Sequence, residues 1–278
     1  MKTSETRRVT LTGSTGFVGR KILQNLLDSD QCVRVLVRDS SRVKEKSPKL
    51  EIKDTADLFG EPAHRMRELL EGSDTLIHAA WYAEPGKYLH SPLNIDCLAG
   101  TLRLANAFMA TGGTRFVGIG TCFEYDLANE YLSIHSPLAP RTIYAAAKLS
   151  AFHTLSHYFS NEGISFAWCR LFYLYGDGEH EYRLVPSIRN AVQAGKDVLL
   201  TDGNQVRDYM DVGSVAREIV SIALSSKCGP VNVCSGEPIT VRELAEKVAD
   251  GFSARHLLKF GAIERRPDEP NCLVGVRD

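Results

Sequence analysis

Two short runs carry the chemistry legible in this chain: Tyr144 Ala145 Ala146 Ala147 Lys148, and the glycine-spaced Gly13 Ser14 Thr15 Gly16 Phe17 Val18 Gly19. A Tyr and a Lys four residues apart on a helix share a face. An ammonium beside a phenol favours the phenolate, so a group that ordinarily titrates near ~10 can exchange protons around neutrality. Thr121 lies just beyond the apolar run Phe116 to Gly120 and could present its hydroxyl to the same substrate oxygen. The plain alternative is a surface i,i+4 pair and a buried threonine. The glycine run follows the β-branched stretch Val9 to Thr12 and leads into Ile22, Leu23, Leu26 and Leu27 at helical spacing, which places it at a strand-to-helix turn. There the free N–H groups of Thr15, Phe17, Val18 and their neighbours, with the helix dipole, attract a pyrophosphate. Gly13 and Gly16 let the backbone approach it, and Gly19 lets helix pack on strand. A merely structural turn is the alternative.

The elements that must position these groups alternate strand with helix. Cys32 to Val37 reads as a strand ending in Arg38 Asp39 Ser40 Ser41 Arg42. The residue at that strand end faces the adenine ribose. Arg38 offers a planar cation to a 2′-phosphate and so favours NADP; with Asp39 on the ribose instead, the cofactor would be NAD. Residues 45–72 read as charged and irregular, with a helix over Ala63 to Leu70. Asp74 to Ala80 is an apolar run whose small end, His78 Ala79 Ala80, suits close passage of a dinucleotide. Helical spacing returns through Leu98, Leu102, Leu104, Ala105 and Phe108, a strand follows over Arg115 to Gly120, and then a helix over Tyr144 to Phe159. The expected fold class is α/β: a Rossmann-type doubly wound parallel sheet with a smaller C-terminal substrate lobe. The dinucleotide-binding part is expected over residues 1–172, with returns from the later chain, and the substrate lobe over residues 173–278.

Composition narrows the function classes. A net charge of −1 over 278 residues offers no field for nucleic acid or membrane, and no run approaches a bilayer span. The polar start MKTSETRR leads straight into the first strand, so a cytoplasmic location is expected. Seven scattered cysteines without a CxxC pair and eight histidines without HExxH spacing point to no disulfide framework and no metal.

With these pieces together the chain resembles the extended short-chain dehydrogenase/reductase family, in its branch of nucleotide-sugar epimerases, dehydratases and ketoreductases. The resemblance rests on GSTGFVG, Asp57 Leu58 of an adenine-side loop, His78 Ala79 Ala80, Thr121 four residues before Tyr125, and YAAAK. The blocks Arg170 to Gly176, Arg207 to Val212 and Val231 to Gly236 extend it. It implies that Tyr144 is the acid/base, that Lys148 holds the nicotinamide ribose and tunes Tyr144, and that Thr121 fills the Ser/Thr position. It further implies that Arg207 contacts a substrate diphosphate, unless an ion pair to Asp208 or Asp211 occupies it. Arg183 and Arg189 are further candidates for that contact. A homodimer through helices around Leu102 and Phe152 is also implied, with intramolecular core as the alternative.

Departures from the pattern narrow the reaction. Sugar 4,6-dehydratases carry Asp and Glu directly after the catalytic Thr, where this chain has Cys122 and Phe123. Epimerase-reductases that make activated fucose place a Cys two residues after the Ser, and a His before a VIP-like segment; here Phe123 and Arg183 stand there. Cys97 replaces a usual Asn, with Asn94 one turn away, and Tyr173 replaces another. The usual helical stretch after a segment like Arg266 to Pro270 is expected to be lost or the lobe compact, because this chain reaches only Asp278. The expected function is therefore NADPH-dependent reduction of a nucleotide-linked 4-keto-6-deoxy sugar. The alternatives are an NAD-dependent 4-epimerase and a non-catalytic dinucleotide-binding regulator.

Overall fold

The computed structural model describes residues 8–267 and 269–277. The first half supplies strands β1 (Arg8–Thr12), β2 (Cys32–Val37), β3 (Leu50–Asp54), β4 (Thr75–His78), β5 (Arg115–Thr121), β6 (Tyr131–Leu132) and β7 (Ser165–Leu171). The second supplies β8 (Tyr173–Tyr175), β9 (Val198–Leu199), β10 (Val206–Asp211), β11 (Gly229–Val233), β12 (Pro238–Thr240), β13 (Leu258–Lys259) and β14 (Cys272–Gly275). Between them lie helices α1 (Phe17–Asp28), α2 (Ala63–Leu70), α3 (Leu93–Ala110), α4 (Ile143–Glu162), α5 (Leu184–Gln193), α6 (Val212–Leu224) and α7 (Val241–Asp250).

The main sheet has seven strands in the order β11-β7-β5-β4-β1-β2-β3, all parallel. Parallel strands need crossovers, and the helices supply them on both faces. Against one face Ile22, Leu23 and Leu26 of α1 join Val215, Ile219 and Val220 of α6. Against the other, Met66 and Leu69 of α2, Leu104 and Phe108 of α3, and Leu155 and Phe159 of α4 surround Phe116, Phe166 and Trp168. Strand order reverses between β1 and β4, which splits the loops at their carboxyl ends and opens a crevice there.

Residues 45–72 hold more order than their composition suggested. β3 forms at the sheet edge, where only one neighbour and partial burial are available, so its sequence LEIKD keeps charges and hides the strand signal. Leu102 of α3 and Phe152 of α4 are partly buried against the second of these cores, the one around Phe116.

A second sheet, in the order β12-β10-β14-β6 with β8 also paired to β10, stands beyond the carboxyl ends of β5 and β7. α5 and α7 pack beside it around Ile188, Val192, Leu200 and Ala245. Among the described residues no helix is long and apolar enough to cross a membrane.

Candidate active site

The crevice is a cleft of about 730 Å³ lined from both sheets. Its floor begins at the glycine loop. Gly13 has φ +74°, a left-handed conformation that costs other residues energy, and a Cβ there would stand 2.6 Å from the Ala80 nitrogen. A Cβ on Gly19 would stand 2.0 Å from the Gly13 carbonyl oxygen, so α1 packs directly on the loop. Gly16 caps α1 without any side-chain hydrogen bond, leaving the first-turn N–H groups facing the cleft beside Thr15, Phe17 and Val18. An anion is the fitting partner for such a helix start.

Thr121, Tyr144 and Lys148 all line this cleft. Thr142 caps α4, its hydroxyl accepting from the Ala145 N–H at 3.2 Å, and so sets the start of the helix that carries the other two. The Thr121 side chain stands close enough to the Tyr144 phenol to favour its ionised form. The Tyr88 ring meets the Tyr144 ring edge-on at 4.8 Å, and Trp81 does so at 6.5 Å.

Electrostatics here depart from expectation. Burial pushes the Tyr144 phenol well above its ordinary value, Tyr88 and Glu124 add to the rise, and the Thr121 side chain opposes it. Lys148, one turn along α4, has its own close contacts. Nζ donates to the Ile119 carbonyl at 2.6 Å and sits 3.8 Å from the centroid of the Trp81 ring. Burial pulls Lys148 down to about 7, with Glu124 and Cys97 opposing. Tyr144 is therefore a neutral phenol at physiological pH, a proton donor in waiting.

Several residues expected at the site stand apart from it. His78 is buried, with Nδ1 2.8 Å from the Thr12 hydroxyl and Nε2 2.9 Å from that of Thr101; it bolts β1 and β4 to α3. Burial draws it down to about 3, so it stays neutral. Ala79 lines the cleft, whereas Ala80 packs into the core and donates its N–H to Thr12. Leu58 is core, and the exposed Asp57 accepts from the Phe59 N–H. Arg38 is exposed and is not among the residues lining the cleft; Arg42, one 3-10 turn later, is. Asp39 is engaged locally, its Oδ1 accepting from the N–H and hydroxyl of Ser41. Arg207 is 1 % exposed and paired with Glu269 at 2.7 Å rather than with Asp208 or Asp211. Glu269 comes from the last stretch of the chain, a pairing that spacing alone could not reveal. Arg183 lines the cleft over the Tyr88 ring, and Arg189 is exposed on α5.

Sequence reasoning missed Trp81, Tyr88, Arg20, Arg42, Glu179 and Tyr209, all of which line the cleft. Trp81 follows directly on His78 Ala79 Ala80 and could have been inferred from that place. Glu179 is pushed up to about 7 by burial. Cys122 is buried and its thiol raised far above the ordinary range, so it is no base. Among the described residues no group of His, Cys, Asp and Glu is placed to hold a metal.

A Rossmann-like sheet with a glycine-loop crevice and a Thr–Tyr–Lys set at its mouth defines a dinucleotide-dependent oxidoreductase. The profile of the NAD dependent epimerase/dehydratase family matches residues 9–234, and the chain belongs to that family, in its extended short-chain dehydrogenase/reductase branch. It is 22% identical over 254 residues to the dTDP-6-deoxy-L-talose 4-dehydrogenase (NAD(+)) of Aggregatibacter actinomycetemcomitans, covering 91% of this chain and 92% of that one. It is 30% identical over 260 residues to the GDP-6-deoxy-D-mannose reductase of Pseudomonas aeruginosa, covering 88% and 80%. The UDP-glucose 4-epimerase of Thermus thermophilus, solved in complex with NAD, superposes with a TM-score of 0.83 at 25% identity, covering 97% of this chain and 90% of that one.

Proposed function

We propose that the protein is an NADPH-dependent reductase of a nucleotide-linked 4-keto-6-deoxy sugar. The observation that carries this reading is the Tyr144 phenol, kept protonated by burial and lining the cleft together with Thr121, with a buried thiol and a phenyl ring, Cys122 and Phe123, where an elimination would need acids. The bound dinucleotide would supply a hydride to the keto carbon. Tyr144 then gives its proton to the carbonyl oxygen, and Thr121 steadies the charge that develops on it. Lys148 would hold the nicotinamide ribose. The glycine loop from Gly13 to Gly19 would hold the pyrophosphate, and residues 173–278 would form most of the sugar-binding lobe, with Arg183 toward the substrate.

NADP is favoured over NAD by what stands beyond β2. Asp39, the acid that could take a ribose hydroxyl, already accepts from the Ser41 N–H and hydroxyl through Oδ1. Arg20 and Arg42 line both the cleft and an adjoining pocket shared with Lys21, Lys44, Glu45 and Asp177, where Lys21 pairs with Asp177 at 3.0 Å. Arg42 therefore replaces Arg38 as the cation offered to a 2′-phosphate. Likeness to the NAD-bound epimerase supports a second reading, a 4-epimerase with retained NAD.

The test is to mix the protein with NADPH and dTDP-, GDP- and UDP-linked 4-keto-6-deoxyhexoses and follow absorbance of the reduced nicotinamide. A fall with one substrate supports the reductase. No fall with any, together with NAD found by mass spectrometry in the purified protein and interconversion of UDP-hexoses without added cofactor, supports the epimerase instead.

A further inference from the structure

Thr121 does not stand on a bare strand end. It caps the 3-10 turn Cys122–Glu124, and Glu124 returns its carboxylate so that Oε1 accepts from the Thr121 N–H at 2.9 Å, while the Thr121 hydroxyl accepts from the Phe123 N–H at 3.3 Å. The same carboxylate accepts from Trp168 Nε1 at 3.0 and 3.1 Å and from Arg170 Nε at 2.8 Å. Glu124 is 0% and Arg170 1% exposed. The strand that ends in Thr121 makes room for them. A Cβ on Gly118 would lie 2.3 Å from the Trp168 ring, and one on Gly120 would lie 2.2 Å from Trp168 Nε1 and 2.6 Å from Glu124 Oε1.

Capping a short turn does not require an ion pair removed from water. Burying each charge costs several kcal/mol, and apolar residues of similar volume often serve stability as well or better. What the carboxylate adds is a fixed anion close behind the reacting groups. Trp168, which it anchors, has its ring 6.0 Å from Lys148 Nζ. The titratable and charged groups near Lys148 are His78, Cys97 and Glu124, while Arg170, Tyr125, Tyr144 and Cys122 surround Glu124. Of these Glu124 is the carboxylate, and its charge favours the ammonium form of Lys148.

We propose that Glu124 is a positioning residue of the reaction: it fixes the backbone of Thr121, and so the hydroxyl presented to the cleft beside Tyr144, and it holds a buried carboxylate against the Trp168 ring that lies 6.0 Å from Lys148 Nζ. The inference rests on the assignment of Thr121, Tyr144 and Lys148 as the reacting set.

Two variants test it. E124Q keeps the shape and an acceptor but leaves Arg170 unpaired, so E124Q/R170M removes both charges and guards against simple unfolding. The first readout is the titration of Lys148 by NMR in lysine-labelled protein, which needs no substrate. Its midpoint near 7 in the parent chain is expected to fall in both folded variants. The second is NADPH-dependent reduction of whichever 4-keto-6-deoxyhexose the parent turns over. There kcat is expected to drop by about 10²-fold, as for a small misplacement of a reacting group, with the KM for NADPH nearly unchanged. A Lys148 midpoint that stays put in both variants overturns the proposal, as does an unchanged kcat. If the parent reduces no substrate while the Lys148 midpoint still moves, the reductase reading fails and the electrostatic part of this one stands.

Discussion

At the scale of single residues, the site divides into a proton donor held neutral and a lysine held near its switching point. Replacing Tyr144 with Phe removes the donor and leaves the ring packing against Tyr88 and Trp81 in place. The rate of reduction is expected to fall by about 10²- to 10⁴-fold while NADPH affinity, read by fluorescence titration, stays close to the parent value. The pH dependence follows from Lys148. With its pKa lowered to about 7, the charged fraction declines as pH rises through that value. Tyr144, raised by burial, remains protonated across the same window and adds no limb of its own. kcat/KM, which reports the free enzyme, should therefore decline on the alkaline side of about pH 7, and in E124Q the decline should begin at lower pH. A flat profile between pH 6 and 9 would contradict the assignment. Of these residue-level features, the identities of Thr121, Tyr144 and Lys148 were legible because they sit in spaced runs. The direction of the Tyr144 shift was not legible, because it is set by burial where α4, the loop after β4 and the 3-10 turn after β5 meet, which no local spacing encodes.

At the scale of elements, several strands and helices were legible as apolar or helically spaced runs, while others, the buried β7 and α6 among them, were not. β1, β2, β5 and α4 announced themselves through apolar runs. β3 did not, because an edge strand with alternating charge looks like loop. The Glu124 turn escaped notice for a different reason: its meaning lies in Trp168 and Arg170 of β7, which become neighbours only when β5 and β7 pair. Element geometry also makes a prediction. The N-terminus of α4 is set by the Thr142 hydroxyl, two residues before Tyr144. T142A should remove about 1 kcal/mol of stability, seen as a Tm lower by about 2–4 °C. Because fraying of that first turn moves the Tyr144 ring, kcat should fall more than the KM for NADPH changes. T142S, which keeps the cap, should restore both. A loss of stability with kcat intact would mean that Tyr88 and Trp81 hold the ring without help from the cap.

At the scale of the whole molecule, a buried polar chain ties the two sheets together. Arg170 donates to the Tyr125 hydroxyl at 3.1 Å, Tyr125 donates to Asn232 Oδ1 at 2.7 Å, and Asn232 donates to the Leu132 carbonyl at 2.7 Å and that of Val276 at 3.1 Å. The cleft between the sheets is thus braced at its back and open at its rim, where a bound dinucleotide would touch α1 and the loop after β2 together. A ligand that binds the folded state alone stabilises it by about 2.7 kcal/mol at a hundredfold excess over its Kd. For a chain of this size that is a rise in Tm of several degrees. NADPH should therefore raise Tm more than NADH at equal concentration, because only the former offers a 2′-phosphate to Arg42 and Arg20. The overall charge of −1 supplies no general attraction for a phosphate, so the difference must come from those local cations. R42A should collapse it: the NADPH curve should fall onto the NADH curve while the NADH curve stays where it was. The gap between the two should also shrink with added salt, since both arginines are at a solvent-exposed rim where ionic screening is effective. Equal stabilisation by the two cofactors in the parent chain would instead assign the ribose to an uncharged contact and return the choice to NAD.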